Sequence, residues 1–115
     1  MGDIEERLQR GIAFKIEGRY EEATAELLAV VQADDTLAEG HRQLGLVYGF
    51  SGLFDESIDE LKIAVSLCPQ NLDARNDLAM TYAMLGMYDE AKAEFNAVLE
   101  SDPSNEVARR ELVYF

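Results

Sequence analysis

The chain has 115 residues, enough for one domain and too few for two conventional cores. Its hydrophobic fraction of 48% belongs to a folded protein, yet no apolar run approaches the ~20 residues that span a bilayer. Ten basic against 23 acidic residues leave a net charge of −13, which repels phosphate backbones and anionic lipid, so nucleic acid and membrane surfaces are poor partners.

Targeting signals are equally sparse. The amino terminus is acidic and lacks an apolar signal core, so no secretory leader is expected. Met1-Gly2 opens like a myristoylation site, but Glu6 stands where that motif needs serine or threonine. The single cysteine, Cys68, precludes an intramolecular disulfide and fits a reducing compartment, so a cytoplasmic location is the expectation.

Taken in order, residues 4–17 place Ile4, Leu8, Gly11, Ile12 and Phe14 at helical spacing, and Gly18 closes that helix. A second helix is expected over 20–33, burying Ala23, Leu27, Val30 and Val31. Thr36 and Glu39 have capping-box spacing and should open a third helix, about 37–51, with His41, Leu44, Gly45 and Tyr48 inward. The fourth, 54–67, answers with Ser57, Leu61, Ala64 and Val65 and stops before Pro69. Asn71 should cap a fifth helix over 72–85, burying Leu78, Ala79 and Tyr82. The sixth, 88–101, contributes Ala91, Phe95, Val98 and Leu99 and ends before Pro103. Ser104 or Asn105 should open a last segment reaching Phe115, with Leu112 and Val113 covering the preceding hairpin and Arg109 and Arg110 outward.

The order conceals a repetition. Gly18-Arg19-Tyr20-Glu21-Glu22-Ala23 returns 34 residues later as Gly52-Leu53-Phe54-Asp55-Glu56-Ser57, and again as Gly86-Met87-Tyr88-Asp89-Glu90-Ala91. Each copy is a helix stop followed at once by a helix start, with two acids where the macrodipole favours them. The second copy also reads His41-x-x-Leu44-Gly45-x-x-Tyr48, then Ser57-x-x-x-Leu61, then Pro69. The third reads Arg75-x-x-Leu78-Ala79-x-x-Tyr82, Ala91-x-x-x-Phe95 and Pro103. The first runs Arg7-x-x-Arg10-Gly11-x-x-Phe14 and Ala23-x-x-x-Leu27, with Asp35 at the proline place. In these residues the chain resembles the tetratricopeptide-repeat family, whose repeat of about 34 residues is a helical hairpin.

The resemblance implies an all-α fold, a right-handed superhelix of three hairpins (about 4–37, 38–71 and 72–105) with a capping helix over 105–115, forming one domain over 1–115. In that setting Gly11, Gly45 and Ala79 let the first helix of each hairpin approach Ala23, Ser57 and Ala91 of the second. Arg7 and Arg10 would face solvent in a terminal repeat.

No catalytic constellation emerges. His41, the one histidine, occupies the family's large-aromatic packing place and has no carboxylate at helical spacing, so a structural role is expected. Cys68 lies beside Pro69 with no histidine near it in sequence to activate it. Asp34-Asp35 and Asp55-Glu56-x-x-Asp59-Glu60 lack the alternating spacing of a calcium loop, so neither metal nor cofactor is expected.

The family's first helices line a concave face where partner segments bind. Rotating each residue by 100° puts Leu8, Ile12 and Ile16 on that face in the first repeat, Arg42, Leu46 and Phe50 in the second, and Asn76, Met80 and Met84 in the third. Glu5, Glu39 and Asp73 form its rim. An apolar centre with an acidic rim suits an amphipathic, net-basic partner segment. Relatives that clamp an acidic C-terminus use lysine, arginine and asparagine there; Leu8, Ile12, Leu46 and Met80 do not supply them. Two alternatives stay open. These side chains could be covered by neighbouring repeats, or the chain could dimerise or polymerise through the same face or through Leu112-Val113-Tyr114-Phe115.

Overall fold

The computed structural model describes residues 3–115; the Met1-Gly2 motif lies outside the described residues. Seven helices follow one another without a strand among the described residues. They are α1 (Asp3–Ile16), α2 (Tyr20–Ala33), α3 (Ala38–Phe50), α4 (Phe54–Leu67), α5 (Leu72–Met84), α6 (Tyr88–Ser101) and α7 (Glu106–Leu112). The six long helices lie within two residues of the expected bounds at either end. The last helix is shorter than expected: it ends at Leu112, with Val113 as its C-cap, and Val113 turns to solvent instead of covering the hairpin.

Each hairpin turns at its glycine. Gly18, Gly52 and Gly86 have φ of 78°, 81° and 77°, a left-handed conformation that a side chain would strain. The carbonyls left over by the ending helix are then used in a repeated way: Arg19 N–H donates to Phe14 O, Leu53 to Tyr48 O and Met87 to Tyr82 O.

Close approach within a hairpin depends on missing side-chain atoms. A Cβ built on Gly11 would stand 2.7 Å from Leu27, and one on Gly45 would stand 2.8 Å from Leu61. Ser57 uses the same proximity, its Oγ donating to Gly45 O at 2.7 Å. The core forms two clusters. Leu8, Ala23, Leu27, Val30, Leu44 and Val47 make the first, and the second gathers Ile58, Leu61, Leu78, Ala79, Tyr82, Ala91, Phe95, Val98 and Ala108. The middle hairpin belongs to both, α3 to the first cluster and α4 to the second. No hairpin therefore carries a core of its own, and stacking completes it.

One expectation about helix starts needs correction, and for another the structure selects between the two residues offered. Thr36 does not cap α3: its N–H and Oγ1 both donate to Asp34 Oδ1, at 3.0 and 2.6 Å. Leu37 takes the cap position, and no side chain accepts a cap hydrogen bond there. The Glu39 carboxylate is drawn instead to Arg42 and Gln43. For α7, Asn105 rather than Ser104 is the cap, accepting from Ala108 N–H at 3.0 Å. Ser104 repeats the Thr36 arrangement by bonding to Asp102.

Candidate functional site

The odd-numbered helices form one layer, α1 touching α3 and α3 touching α5, with no comparably close approach between α2 and α4 or α4 and α6. A layer that crowds on one side and splays on the other is curved, with the odd helices inside the curve. Their solvent face is where the expected site residues fall, and the structure divides them into three groups.

Leu46, Phe50, Met80 and Met84 come together between α3 and α5 around a pocket of about 230 Å³. Gly49, Ser57, Asp77 and Thr81 complete its lining. Gly49 keeps the floor open, since a Cβ there would come within 3.3 Å of Ser57 Oγ. Phe50 is 58% exposed and Met84 67%, unusual for large apolar side chains held in place by helices. Phe50 is not wholly free, because its ring lies 5.9 Å from that of Tyr20.

The second group is covered. Leu8, only 5% exposed, packs inside the first core cluster, and Ile12 packs partly buried against it. Asn76 is 4% exposed and donates from Nδ2 to Asn105 Oδ1 at 3.1 Å. Neither Leu8 nor Asn76 lines an open face, because each lies under a neighbouring element that a helical wheel drawn on one repeat cannot include. Ile16 remains exposed at the end of α1.

The third group is a polar chain crossing three helices. Lys15 Nζ donates to Gln43 Oε1 at 2.6 Å, and Gln43 Nε2 donates to Glu39 Oε1 at 3.0 Å. Arg42 bonds Glu39 through Nη1 and Asp77 through Nε, the latter at 2.8 Å. Arg42 is therefore held by carboxylates from its own helix and the next, and Asp77, absent from the expected site, is a wall of the pocket. Burial pushes the Asp77 carboxyl above its ordinary value, and Arg42 pulls the other way without fully offsetting it. Burial likewise lowers the Lys15 ammonium, with Arg42 adding to the effect. Of the rim acids, Glu39 is occupied as described, Glu5 accepts from Gln9, and Asp73 is exposed.

His41 is buried and has the partner that its own helix lacks. Its Nδ1 lies 2.8 Å from Glu60 Oε1 on α4, and its Nε2 lies 2.9 Å from Asp35 O. Both ring nitrogens are thereby engaged, one by the carboxylate and one by the main-chain carbonyl. The arrangement pins α3 to α4 and leaves no ring nitrogen for chemistry.

A sequence profile described as tetratricopeptide repeat matches residues 51–110, just over half of the chain. The chain belongs to the tetratricopeptide-repeat family. Solved structures of tetratricopeptide-repeat domains superpose closely on it. The first such domain of Spaghetti (RPAP3), bound to the HSP90 peptide SRMEEVD, gives a TM-score of 0.92 at 22% identity over 97% of this chain and 89% of that one. The second domain of human RPAP3, in complex with the HSP70 peptide SGPTIEEVD, gives 0.88 at 27% identity over 94% and 90%. MamA gives 0.88 at 25% identity over 93% of this chain and 63% of that one. A search of curated proteins finds no match. The fold is a tetratricopeptide-repeat solenoid of three hairpins with α7 packed against the last. None of its helices within the described residues is long and apolar enough to cross a membrane.

Proposed function

We propose that the chain is a non-catalytic protein-interaction module whose inner face takes an amphipathic, net-basic segment of a partner. The carrying observation is the exposure of Phe50 and Met84 beside a pocket that none of the described residues fills. Structural kinship supports a peptide ligand, since the human RPAP3 domain at 27% identity is in complex with one. The chemistry of that peptide does not carry over. SGPTIEEVD holds three acids and no base, whereas the present chain carries −13 and sets Glu39, Asp73 and Asp77 along the inner face. An acidic peptide is repelled there, and a basic one is attracted at a rate that salt screens. Methionine walls adapt to a range of apolar anchors.

The reading is tested by selecting binders from displayed helical peptides of uniform length that vary in charge and apolar pattern. Selected sequences should be amphipathic and net basic, and should bind more slowly as salt rises. Selection of acidic peptides instead would remove the charge argument.

A second reading has its own observation. Val113 and Tyr114 are each 80% exposed at the end of α7, an apolar surface through which copies of the chain could associate. Light scattering coupled to size exclusion separates the two, because a monomer at all concentrations leaves the inner face as the interaction surface.

A further inference from the structure

The pocket between α3 and α5 is apolar on every wall but one. Ser57 and Thr81 contribute hydroxyls, but each donates its hydrogen to a main-chain carbonyl, of Gly45 and Asp77 respectively. The exception is the Asp77 carboxylate. Its Oδ2 accepts from Arg42 Nε at 2.8 Å, and among the described residues no donor is bonded to Oδ1. The side chain keeps 20% of its surface exposed, and Asp77 is one of the residues lining the pocket.

An occupant changes that balance. A wholly apolar anchor pressed into the pocket would strip water from Asp77 Oδ1 and return nothing, which is costly for a charged acceptor. A cation on an unbranched aliphatic stem avoids the loss, because the stem meets Leu46, Met80 and Met84 while the head donates to the oxygen that water gave up. The other charges near the carboxylate allow it. Arg42 is already held by Asp77 and Glu39, Lys15 is held by Gln43, and Asp73 adds a negative field. Burial has raised the Asp77 carboxyl despite Arg42, so one cation does not fully compensate it.

We propose that this pocket is a receptor for one long basic side chain of the partner, lysine or arginine, with its stem against Leu46, Met80 and Met84 and its head on Asp77. The proposal rests on the inner face being the docking surface and adds the chemistry of the residue that enters it.

The test uses the full chain labelled with 13C at its methionine methyls. Met80 and Met84 report on the pocket, and Met87 reports on a position outside it. The probes are n-hexylammonium, n-hexanol and hexanoate at constant ionic strength. Hexylammonium should shift the Met80 and Met84 methyls saturably and half-saturate at about a tenth of the hexanol concentration, the order of a single charge-assisted hydrogen bond. Hexanoate should bind most weakly. Asp77→Asn should bring hexylammonium and hexanol together without changing hexanol. Should that variant fail to fold, the Asp77 carboxyl resonance of the unsubstituted chain, labelled with 13C at its aspartate carboxyls, answers instead, moving with hexylammonium and not with hexanol. Equal half-saturation by ammonium and alcohol would overturn the basic-residue proposal and leave the docking surface intact. An ammonium preference that survives Asp77→Asn would overturn the role of Asp77. If no probe moves Met80 or Met84, the proposal and the docking surface fall together.

Discussion

His41 Nδ1 stands 2.8 Å from Glu60 Oε1, and the pair is one rung of a ladder that the repeat copies three times. Arg7 meets Glu26 at 3.1 Å and Arg75 meets Glu94 at 2.9 Å, so residues 7, 41 and 75 each bond the residue nineteen positions on. Every rung joins the first helix of a hairpin to the second. The place that the family resemblance gives to a large aromatic is used here for a basic group paired across the hairpin.

Burial decides what each rung contributes. Arg7 is about half exposed, where an ion pair contributes ~0–1 kcal/mol. His41 is buried, and His41→Ala would leave both a cavity and an unpaired Asp35 carbonyl. His41→Ala should therefore cost about 2–4 kcal/mol, and Arg7→Ala less than about 1 kcal/mol, measured by urea denaturation. Equal losses would mean that the ladder stabilises through charge alone.

Asn71 and Asn105 occupy equivalent cap positions, but Asn105 has a second duty. Asn71 accepts only from Ala74 N–H, whereas Asn105 Oδ1 accepts from Ala108 N–H and from buried Asn76. Asn71→Ala should cost about 1 kcal/mol, the usual value of a cap. Asn105→Ala should cost about 2–4 kcal/mol, since it also strands the Asn76 amide. Thermal melts of the two variants side by side check the ordering.

The pH dependence of stability should carry opposite signs at two carboxylates. Burial raises Asp77 in the folded state, against the pull of Arg42, so as pH falls toward the ordinary aspartate value the native chain takes up this proton before the unfolded chain does. Stability from Asp77 is gained as pH falls toward the ordinary aspartate value. Glu26 is lowered, first by its hydrogen bond from Arg10. Its contribution is present above the ordinary glutamate value and is lost as pH falls through the lowered one. Denaturation of Asp77→Asn and Glu26→Gln between about pH 7 and pH 2 should show the parent gaining on the first variant and losing ground to the second. Parallel slopes would contradict both assignments.

The helices were legible because each hairpin states its own boundaries. Glycine, aromatic and paired acids mark the turns after α1, α3 and α5, and Pro69 and Pro103 mark the ends of α4 and α6. Missed features arise between elements. Leu8 and Asn76 sit on the solvent side of a helical wheel but are covered in the stack, Asn76 through its bond to the start of α7. Asp77 lies outside the positions that the rotation assigns to the inner face, yet it pairs with Arg42 and stands in the pocket wall. Two of the misses had a signal. Leu37, Asn71 and Asn105 are 34 apart, which marks Leu37 rather than Thr36 as the cap, and the three basic residues of the ladder share one interval to their glutamates.

The inner face as docking surface is tested most directly by calorimetric titration of a selected net-basic peptide into the parent chain and Phe50→Ala, with helicity of both checked by circular dichroism. Phe50 is exposed, so its removal should leave the fold intact. The account predicts that the variant binds at least about tenfold more weakly, as loss of a central aromatic anchor does. Unchanged affinity in a folded Phe50→Ala chain would contradict it and move the binding site off the inner face.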